Sequence, residues 1–181
     1  MNAAPDALAA ALLEVAQLKA LPRAGWVRQG VPAPESVAAH SFGVAWLAAL
    51  LCPPELDRLR VLEIALMHDV PEVRAGDITP HDGIDRAEKR RREAAAAAGL
   101  LGALPRALAA WADYDAGLSP EARFVHELDK LDMGLQALLY AQQHPGLDVA
   151  ELRASADRGL RDPALRAVWA AAQQRVDRGA P

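Results

Sequence analysis

The sequence has one cysteine, few aromatic residues and no long apolar run. Cys52 has no partner cysteine, which excludes an internal disulfide and a zinc site built from cysteine pairs. Aromatic residues make up only 4% of a chain that is 52% hydrophobic. The rest of this apolar content is mainly Ala and Leu, which favour helices because they lose little entropy there. The richest apolar stretch, 44–52, is shorter than the roughly 20 residues of a membrane span.

An excess of basic residues is also missing. The formal net charge is −4, whereas a surface that binds a nucleic-acid polymer normally carries a basic excess. The N-terminal segment has no basic start and carries Asp6 and Glu14 within its apolar pattern. It therefore predicts an amphipathic helix and not a signal peptide. We expect a cytoplasmic protein without nucleic-acid or membrane partners.

Helical periodicity recurs along the chain, and the alternation typical of strands is nearly absent. We predict an all-α protein, a single domain over 1–181 with about six to eight helices. Its core is expected over approximately 18–140, with accessory C-terminal helices within 148–178. The expected helices span about 6–20, 36–51, 55–68, 85–98, 105–114, 119–143, 148–159 and 163–178. Proline and glycine predict irregular connections over 22–34 and after Pro71.

Three tryptophans and one charge run have simple structural interpretations. Trp46, Trp111 and Trp169 lie in helical patterns and are expected in the core. The run EKRRRE at 88–93 is typical of a solvated helix face.

Two polar residues fall on apolar helical stripes, where a buried group needs a partner. His40 shares a helical face with Val44 and Leu47. Asp129 borders an apolar stripe in the long helix, formed by Phe124, Leu128, Leu131, Leu135 and Leu138. An unpaired buried carboxylate is costly, so a cation or a donor is expected beside Asp129. Asp132, one turn further on, is either an acid that supports this site or an exposed residue.

The pair His68-Asp69 ends a third apolar helix and completes a mixed set of nitrogen and oxygen ligands. Such a set suits Mn, Co, Fe, Zn or Mg better than a thiolate-binding metal. We predict one divalent ion, with open positions for water and a substrate oxygen, held by His40, His68, Asp69 and Asp129. The other histidines (His81, His126 and His144) and Cys52 are expected to have no role in the site.

Four segments resemble the HD-domain superfamily, and within it the 5′-deoxynucleotidase branch, in particular its shorter archaeal and eukaryotic-type members. They are LKALPRAGWVRQGVPAPESVAAHS (18–41), ALMHDVPEVRAGDITP (65–80), EKRRRE (88–93) and FVHELDKLDMGLQA (124–137). The metal ligands of this family map to the same four residues predicted above. Family members usually have Ser and an acid directly before the first His, whereas Ala38 and Ala39 stand here. This departure puts part of the support for His40 in doubt.

The resemblance also implies roles for residues outside the metal set. Glu72 is implied as a catalytic general acid or base, the alternative being a surface glutamate. Asp77 is implied as a catalytic and substrate-binding acid, or is a plain turn residue. Arg23 is implied to grip the phosphate. Trp26 is implied to contact the deoxyribose, or else anchors its loop on the core.

The function that this resemblance implies is hydrolysis of deoxyribonucleoside 5′-monophosphates to deoxynucleosides and phosphate. One alternative is an HD phosphohydrolase that acts on another nucleotide or phosphate ester. A second is a catalytically silent metal- or nucleotide-binding protein. The resemblance also implies a homodimer, whose interface we expect on the apolar N- and C-terminal helices.

Overall fold

The computed structural model describes residues 4–179, and these residues form ten α-helices. They are α1 (Pro5–Val15), α2 (Ala24–Arg28), α3 (Val37–Leu51), α4 (Arg58–Met67), α5 (Glu72–Ala75), α6 (Arg86–Leu101), α7 (Pro105–Ala116), α8 (Pro120–Gln143), α9 (Ala150–Gly159) and α10 (Pro163–Asp177), with a 3₁₀ helix at Ala16–Lys19. Over this range no strand forms, and Pro22 and Ser36 make one isolated β-bridge. The prediction of an all-α protein is confirmed.

Side-chain caps fix the starts of the two helices that matter most for the site. The Ser36 hydroxyl accepts a hydrogen bond from the backbone N–H of Ala39 at 3.1 Å, which begins α3. The Ser119 hydroxyl accepts one from the N–H of Ala122 at 2.9 Å, and Pro120 follows as the first residue of α8. Both helices therefore begin where the sequence predicts.

Other boundaries differ from the prediction. The first helix ends at Val15 and continues as a 3₁₀ turn, and α4 begins only at Arg58 because Asp57 caps its first N–H groups. The predicted irregular segments each contain a short helix, α2 and α5. Gly76 ends α5 with a φ of 79°, a value that favours glycine.

Helix α8 is the centre of the packing and contacts α3, α4, α7, α9 and α10. Its predicted stripe is confirmed, since Leu128 and Leu131 are fully buried. The helices after α8 join the same core, through Ala156, Leu160, Leu165 and Trp169. Within the described residues no helix is both long and apolar enough to cross a membrane.

The prediction of a buried Trp46 is wrong, although Trp111 and Trp169 are buried as expected. The side chain of Trp46 is 56% exposed because α3 packs on the face that carries His40, Val44 and Leu47. Helix α3 is apolar on nearly all sides, so its periodicity does not indicate which face is buried.

Candidate metal centre

Three separate helices bring the four predicted ligands together. His40 lies in α3, Asp129 in α8, and His68 and Asp69 directly follow α4. The ligating atoms of His40, His68 and Asp69 all lie within 4.8 Å of one another. Asp129 joins them through its Oδ1, which is 3.2 Å from Nε2 of His40. Both histidines are buried, at 0% and 3% exposure.

The two imidazoles are oriented so that their Nε2 atoms face each other at 3.3 Å. Nδ1 of His68 lies 2.7 Å from the carbonyl oxygen of Ala65, and Nδ1 of His40 lies 2.7 Å from Oδ2 of Asp132. A carbonyl or carboxylate at Nδ1 holds the N–H there and leaves the Nε2 lone pair for a metal. Asp132 is therefore the supporting acid, the first of the two alternatives that the sequence left open.

The spacing of these atoms suits a divalent ion. His68 Nε2 lies 3.1 Å from Asp69 Oδ2, and His40 Nε2 lies 3.6 Å from the same oxygen. Ligands about 2.1 Å from a metal stand roughly 3.0 to 3.4 Å apart in octahedral or tetrahedral geometry. The group could thus hold a metal ion with its mixed nitrogen and oxygen donors.

Charge at the site is balanced by hydrogen bonds and ion pairs among its own residues. Burial favours the neutral form of Asp69, but His68, Arg23 and His40 hold the pKa of its carboxyl well below the usual range. Burial and Arg23 act to lower the pKa of His40, yet hydrogen bonds to Asp129 and Asp132 raise it to about 9. A metal ion that binds Nε2 of His40 must therefore displace a proton near neutral pH.

Arg23 lies in the site, beside two of its acids. Its Nη1 donates to Oδ2 of Asp69 at 3.1 Å, and its Nε lies 3.8 Å from Oδ2 of Asp77. Asp77 also accepts a hydrogen bond from the backbone N–H of Ala24 at 2.8 Å, which links the loop after Gly76 to the start of α2. The structure thus brings two of the three predicted substrate-site residues, Arg23 and Asp77, to the metal cluster.

Glu72 is the most unusual residue of the site. Its side chain is buried at 4% exposure, and Oε2 has no hydrogen-bond partner among the described residues. Burial, together with the nearby charges of Asp69 and Asp77, raises the pKa of its carboxyl well above the ordinary value. Because it is buried, Glu72 is not the surface glutamate of the alternative interpretation. Burying a carboxyl oxygen without a partner among the described residues costs folding free energy.

The side chain of Trp26 is buried, whereas a side chain that contacts a substrate sugar must be accessible. It is 3% exposed, its indole N–H donates to Oε1 of Glu35 at 2.9 Å, and its ring packs edge-on against Tyr140. This burial supports the alternative in which Trp26 anchors its loop on the core. Glu35, which the sequence analysis did not single out, lies beside His40 and Asp132.

The charge run at 88–93 is only partly a solvated face. Arg90, Arg91 and Arg92 are exposed as predicted, whereas Lys89 and Glu93 are partly buried. Nζ of Lys89 donates to the carbonyl oxygen of Ile78 at 2.9 Å. Because Ile78 follows Asp77, this bond holds the loop that carries Asp77, the predicted substrate-site acid.

Two further residues beside Asp129 were missed by the sequence analysis. The Tyr114 hydroxyl lies 3.4 Å from Oδ2 of Asp129, and Nζ of Lys130 lies 3.0 Å from the same oxygen. His126 stacks on Tyr114 and bonds to its carbonyl oxygen, away from the ligands. The adjacency of Lys130 to Asp129 in the chain was the signal that could have identified it.

We expect Gly43→Ala to weaken metal binding about 10- to 100-fold, the usual effect of losing a ligand's hydrogen-bond partner. A Cβ atom at Gly43 would lie 2.1 Å from Oδ1 of Asp132, so Asp132 must move away from His40. The measurement is a calorimetric titration of the metal-free protein with Mn²⁺.

Ala39→Asp is the matched control, because it restores the acid common in the family. Ala39 is exposed and Nδ1 of His40 is already bound by Asp132, so we expect metal affinity to change less than threefold, roughly the scatter of surface substitutions. Equal affinities for the Gly43→Ala and wild-type proteins would contradict this role for Asp132.

The all-α fold and the buried cluster of His40, His68-Asp69 and Asp129 define a class of helical proteins that could bind a metal. Similarity to known proteins identifies the family within this class. The HD domain family matches residues 15–167, so the chain belongs to this family. It is 41% identical over 139 residues to the 5′-deoxynucleotidase HDDC2 of Xenopus laevis, covering 73% of this chain and 69% of that protein.

Two further relatives extend the likeness over more of the chain. The 5′-deoxynucleotidase hdd1 of Schizosaccharomyces pombe is 35% identical over 156 residues, covering 81% of this chain and 79% of that one. A crystal structure described as a predicted metal-dependent phosphohydrolase, from Magnetospirillum magnetotacticum, superposes with a TM-score of 0.70 at 31% identity. That likeness covers 97% of this chain and 95% of the other.

Proposed function

We propose that this protein is a metal-dependent 5′-deoxynucleotidase, which hydrolyses deoxyribonucleoside 5′-monophosphates to deoxynucleosides and phosphate. The observation that carries the proposal is a buried oxygen of Glu72 that has no hydrogen-bond partner within residues 4–179, beside a cluster that could hold a divalent ion. The names of the relatives in Xenopus laevis and Schizosaccharomyces pombe support the choice of substrate.

The proposed metal ligands are His40, His68, Asp69 and Asp129. A divalent ion held there would supply Lewis-acid polarisation of the phosphoryl group and acidify water. Co, Mn, Fe, Zn and Mg all suit the donor set, and we propose a single ion.

Glu72 is the proposed general acid or base. Burial and the nearby charges of Asp69 and Asp77 raise the pKa of its carboxyl group, and an acid weaker than an ordinary glutamate is better suited both to give up and to take up a proton. Since Oε2 has no partner among the described residues, this oxygen is available to the attacking water or to the leaving deoxynucleoside.

Arg23 and Asp77 are the proposed substrate-binding residues. A guanidinium has five N–H donors, so Arg23 can bind a phosphate oxygen while it keeps its bond to Asp69. Asp77, held by Ala24 and near Arg23, offers a carboxylate to the sugar hydroxyl or the attacking water. Trp26 would act on the sugar only indirectly, through the loop that it anchors.

The direct test is phosphate release from dAMP, dTMP and 5′-AMP by metal-free protein supplemented with Co²⁺ or Mn²⁺. We expect release from the deoxynucleotides and less from 5′-AMP. Release only from other phosphate esters would favour the broader HD phosphohydrolase. No release from any ester, with metal demonstrably bound, would favour the silent binding protein.

We further propose a homodimer that acts in the cytoplasm. The sequence predicts an interface on the terminal helices, but α3 carries more exposed large apolar side chains than α1 or α10 does. Phe42, Trp46 and Leu50 are 67%, 56% and 60% exposed and recur every four residues, so they share one helix face. We call these three residues the α3 stripe and propose that it pairs with the same stripe of a second copy.

Trp46→Glu is expected to convert the dimer to a monomer, because a charge placed in an apolar interface is left desolvated and unpaired. Sedimentation velocity at a fixed protein concentration measures the change. Leu59→Glu is the matched control, since Leu59 is 62% exposed on α4 and lies outside the α3 stripe. A monomeric wild-type protein, or an unchanged dimer in Trp46→Glu, would exclude this interface.

A further inference from the structure

Lys130 is a cation at the metal centre to which the mechanism above gives no role. Its Nζ lies 3.0 Å from Oδ2 of Asp129, while Oδ1 of the same carboxylate faces Nε2 of His40 at 3.2 Å. Oδ1 therefore faces the ligand side, whereas Oδ2 faces Lys130 and, at 3.4 Å, the Tyr114 hydroxyl. The Lys130 side chain is 39% exposed, so solvent reaches it although it contacts the buried Asp129.

The position of Lys130 is built into the fold. Its stem crosses α9 at Gly159, where an added Cβ atom would lie 2.6 Å from Cγ of Lys130. The missing side chain of Gly159 leaves the space for this stem, which aims the ammonium group at Asp129.

The charges of the site also call for this cation. Two acidic metal ligands and Asp77 would face a substrate phosphate that is itself an anion, and the chain as a whole is acidic. Arg23 provides positive charge beside Asp69. On the Asp129 side Lys130 provides it, with Nζ 3.0 Å from Oδ2 of Asp129.

We propose that Lys130 binds a non-bridging oxygen of the substrate phosphoryl group from the Asp129 side of the site, while Arg23 binds from the Asp69 side. The proposal rests on the proposed function for the identity of the substrate. An ammonium on a flexible stem can bridge Oδ2 of Asp129 and a phosphate oxygen, because it has three N–H donors. The alternative is that Lys130 only neutralises Asp129.

The test compares Lys130→Gln with the wild-type protein at saturating Mn²⁺. We expect KM for dAMP and the inhibition constant of inorganic phosphate each to rise about tenfold or more, as for a lost charged hydrogen bond. Inhibition by deoxyadenosine, which has no phosphate, should not change. Lys130→Arg should recover part of the loss.

Gly159→Ala is the matched variant that keeps the lysine but displaces its stem, and we expect a smaller rise in the same two constants. Unchanged constants in Lys130→Gln, or a change only in the Mn²⁺ concentration required, would overturn the proposal. Calorimetric titration of the Mn²⁺-loaded proteins with inorganic phosphate needs no turnover. It tests Lys130 even if no deoxynucleotide is hydrolysed, so failure of the proposed function can be told apart from failure of this inference.

Discussion

Glu72→Gln should lower turnover of a deoxynucleotide about 10²- to 10⁴-fold, the usual contribution of a positioned acid or base. Glutamine keeps the size of the side chain but cannot exchange a proton. Because Glu72 is not among the proposed metal ligands, the metal content should stay the same. Steady-state kinetics and metal analysis of the same samples measure both quantities.

The same substitution should stabilise the metal-free protein. In the folded protein the pKa of Glu72 lies well above its ordinary value of 4.5, so folding favours the protonated form. Below pH 4.5 the wild-type residue is neutral in both states, and the two proteins should differ little. As the pH rises towards the folded-state pKa, the wild-type protein loses stability that the glutamine variant keeps.

We expect the gap in unfolding free energy to reach about 1–3 kcal/mol near pH 8, the cost of a buried polar group without a partner. Urea unfolding with EDTA at pH 5 and pH 8 measures the difference. The control is Glu14→Gln. Arg74 lowers the pKa of the Glu14 carboxyl group, so this variant should be less stable than the wild-type protein at pH 8, whereas Glu72→Gln should be more stable.

Full activity of the Glu72→Gln protein would remove Glu72 from the mechanism.

We expect the second large effect from Asp69→Asn, which should remove the bound metal and with it most of the activity. Oδ2 of Asp69 contacts His68, His40 and Arg23, so this one oxygen joins the metal cluster to the substrate side. The neutral amide of asparagine is a poorer ligand for a divalent ion than the carboxylate that it replaces. The substitution also leaves the largely buried Arg23 without its nearest negative charge.

The expected loss of activity is on the order of 10³-fold, equivalent to the several kcal/mol that metal polarisation contributes. Metal content after gel filtration and phosphate release at saturating dAMP measure the two effects. Asp177→Asn changes an exposed acid on α10 that pairs with Arg153, and it should leave both unchanged. A full complement of metal in the Asp69→Asn protein would refute Asp69 as a ligand.

Much of the framework around the site follows from local sequence. Ser36 and Ser119 cap α3 and α8 as predicted, because an N-cap needs only its own side chain and the next turn of backbone. The periodicity of α8 also predicted its buried stripe. His40 and Asp129 were identified because each interrupts such a pattern with a polar group.

Other features depend on contacts between helices that are distant in sequence. The burial of Trp26, the exposure of Trp46 and the pairing of Asp132 with His40 each follow from which face meets a neighbour. Periodicity predicts which residues share a face but not which element that face contacts, least of all in a helix as uniformly apolar as α3.

The four proposed ligands depend both on local sequence and on contacts between helices. Hydrophobic periodicity is a local property, and it alone identifies four polar residues on or at the ends of apolar helices: His40, His68, Asp69 and Asp129. The packing of the helices then brings these residues together, leaves Oε2 of Glu72 without a partner among the described residues and lets Lys130 reach Asp129. These outcomes depend on how α3, α4, α5, α8 and α9 pack, and packing is set by the shapes of facing side chains, as the groove at Gly159 shows.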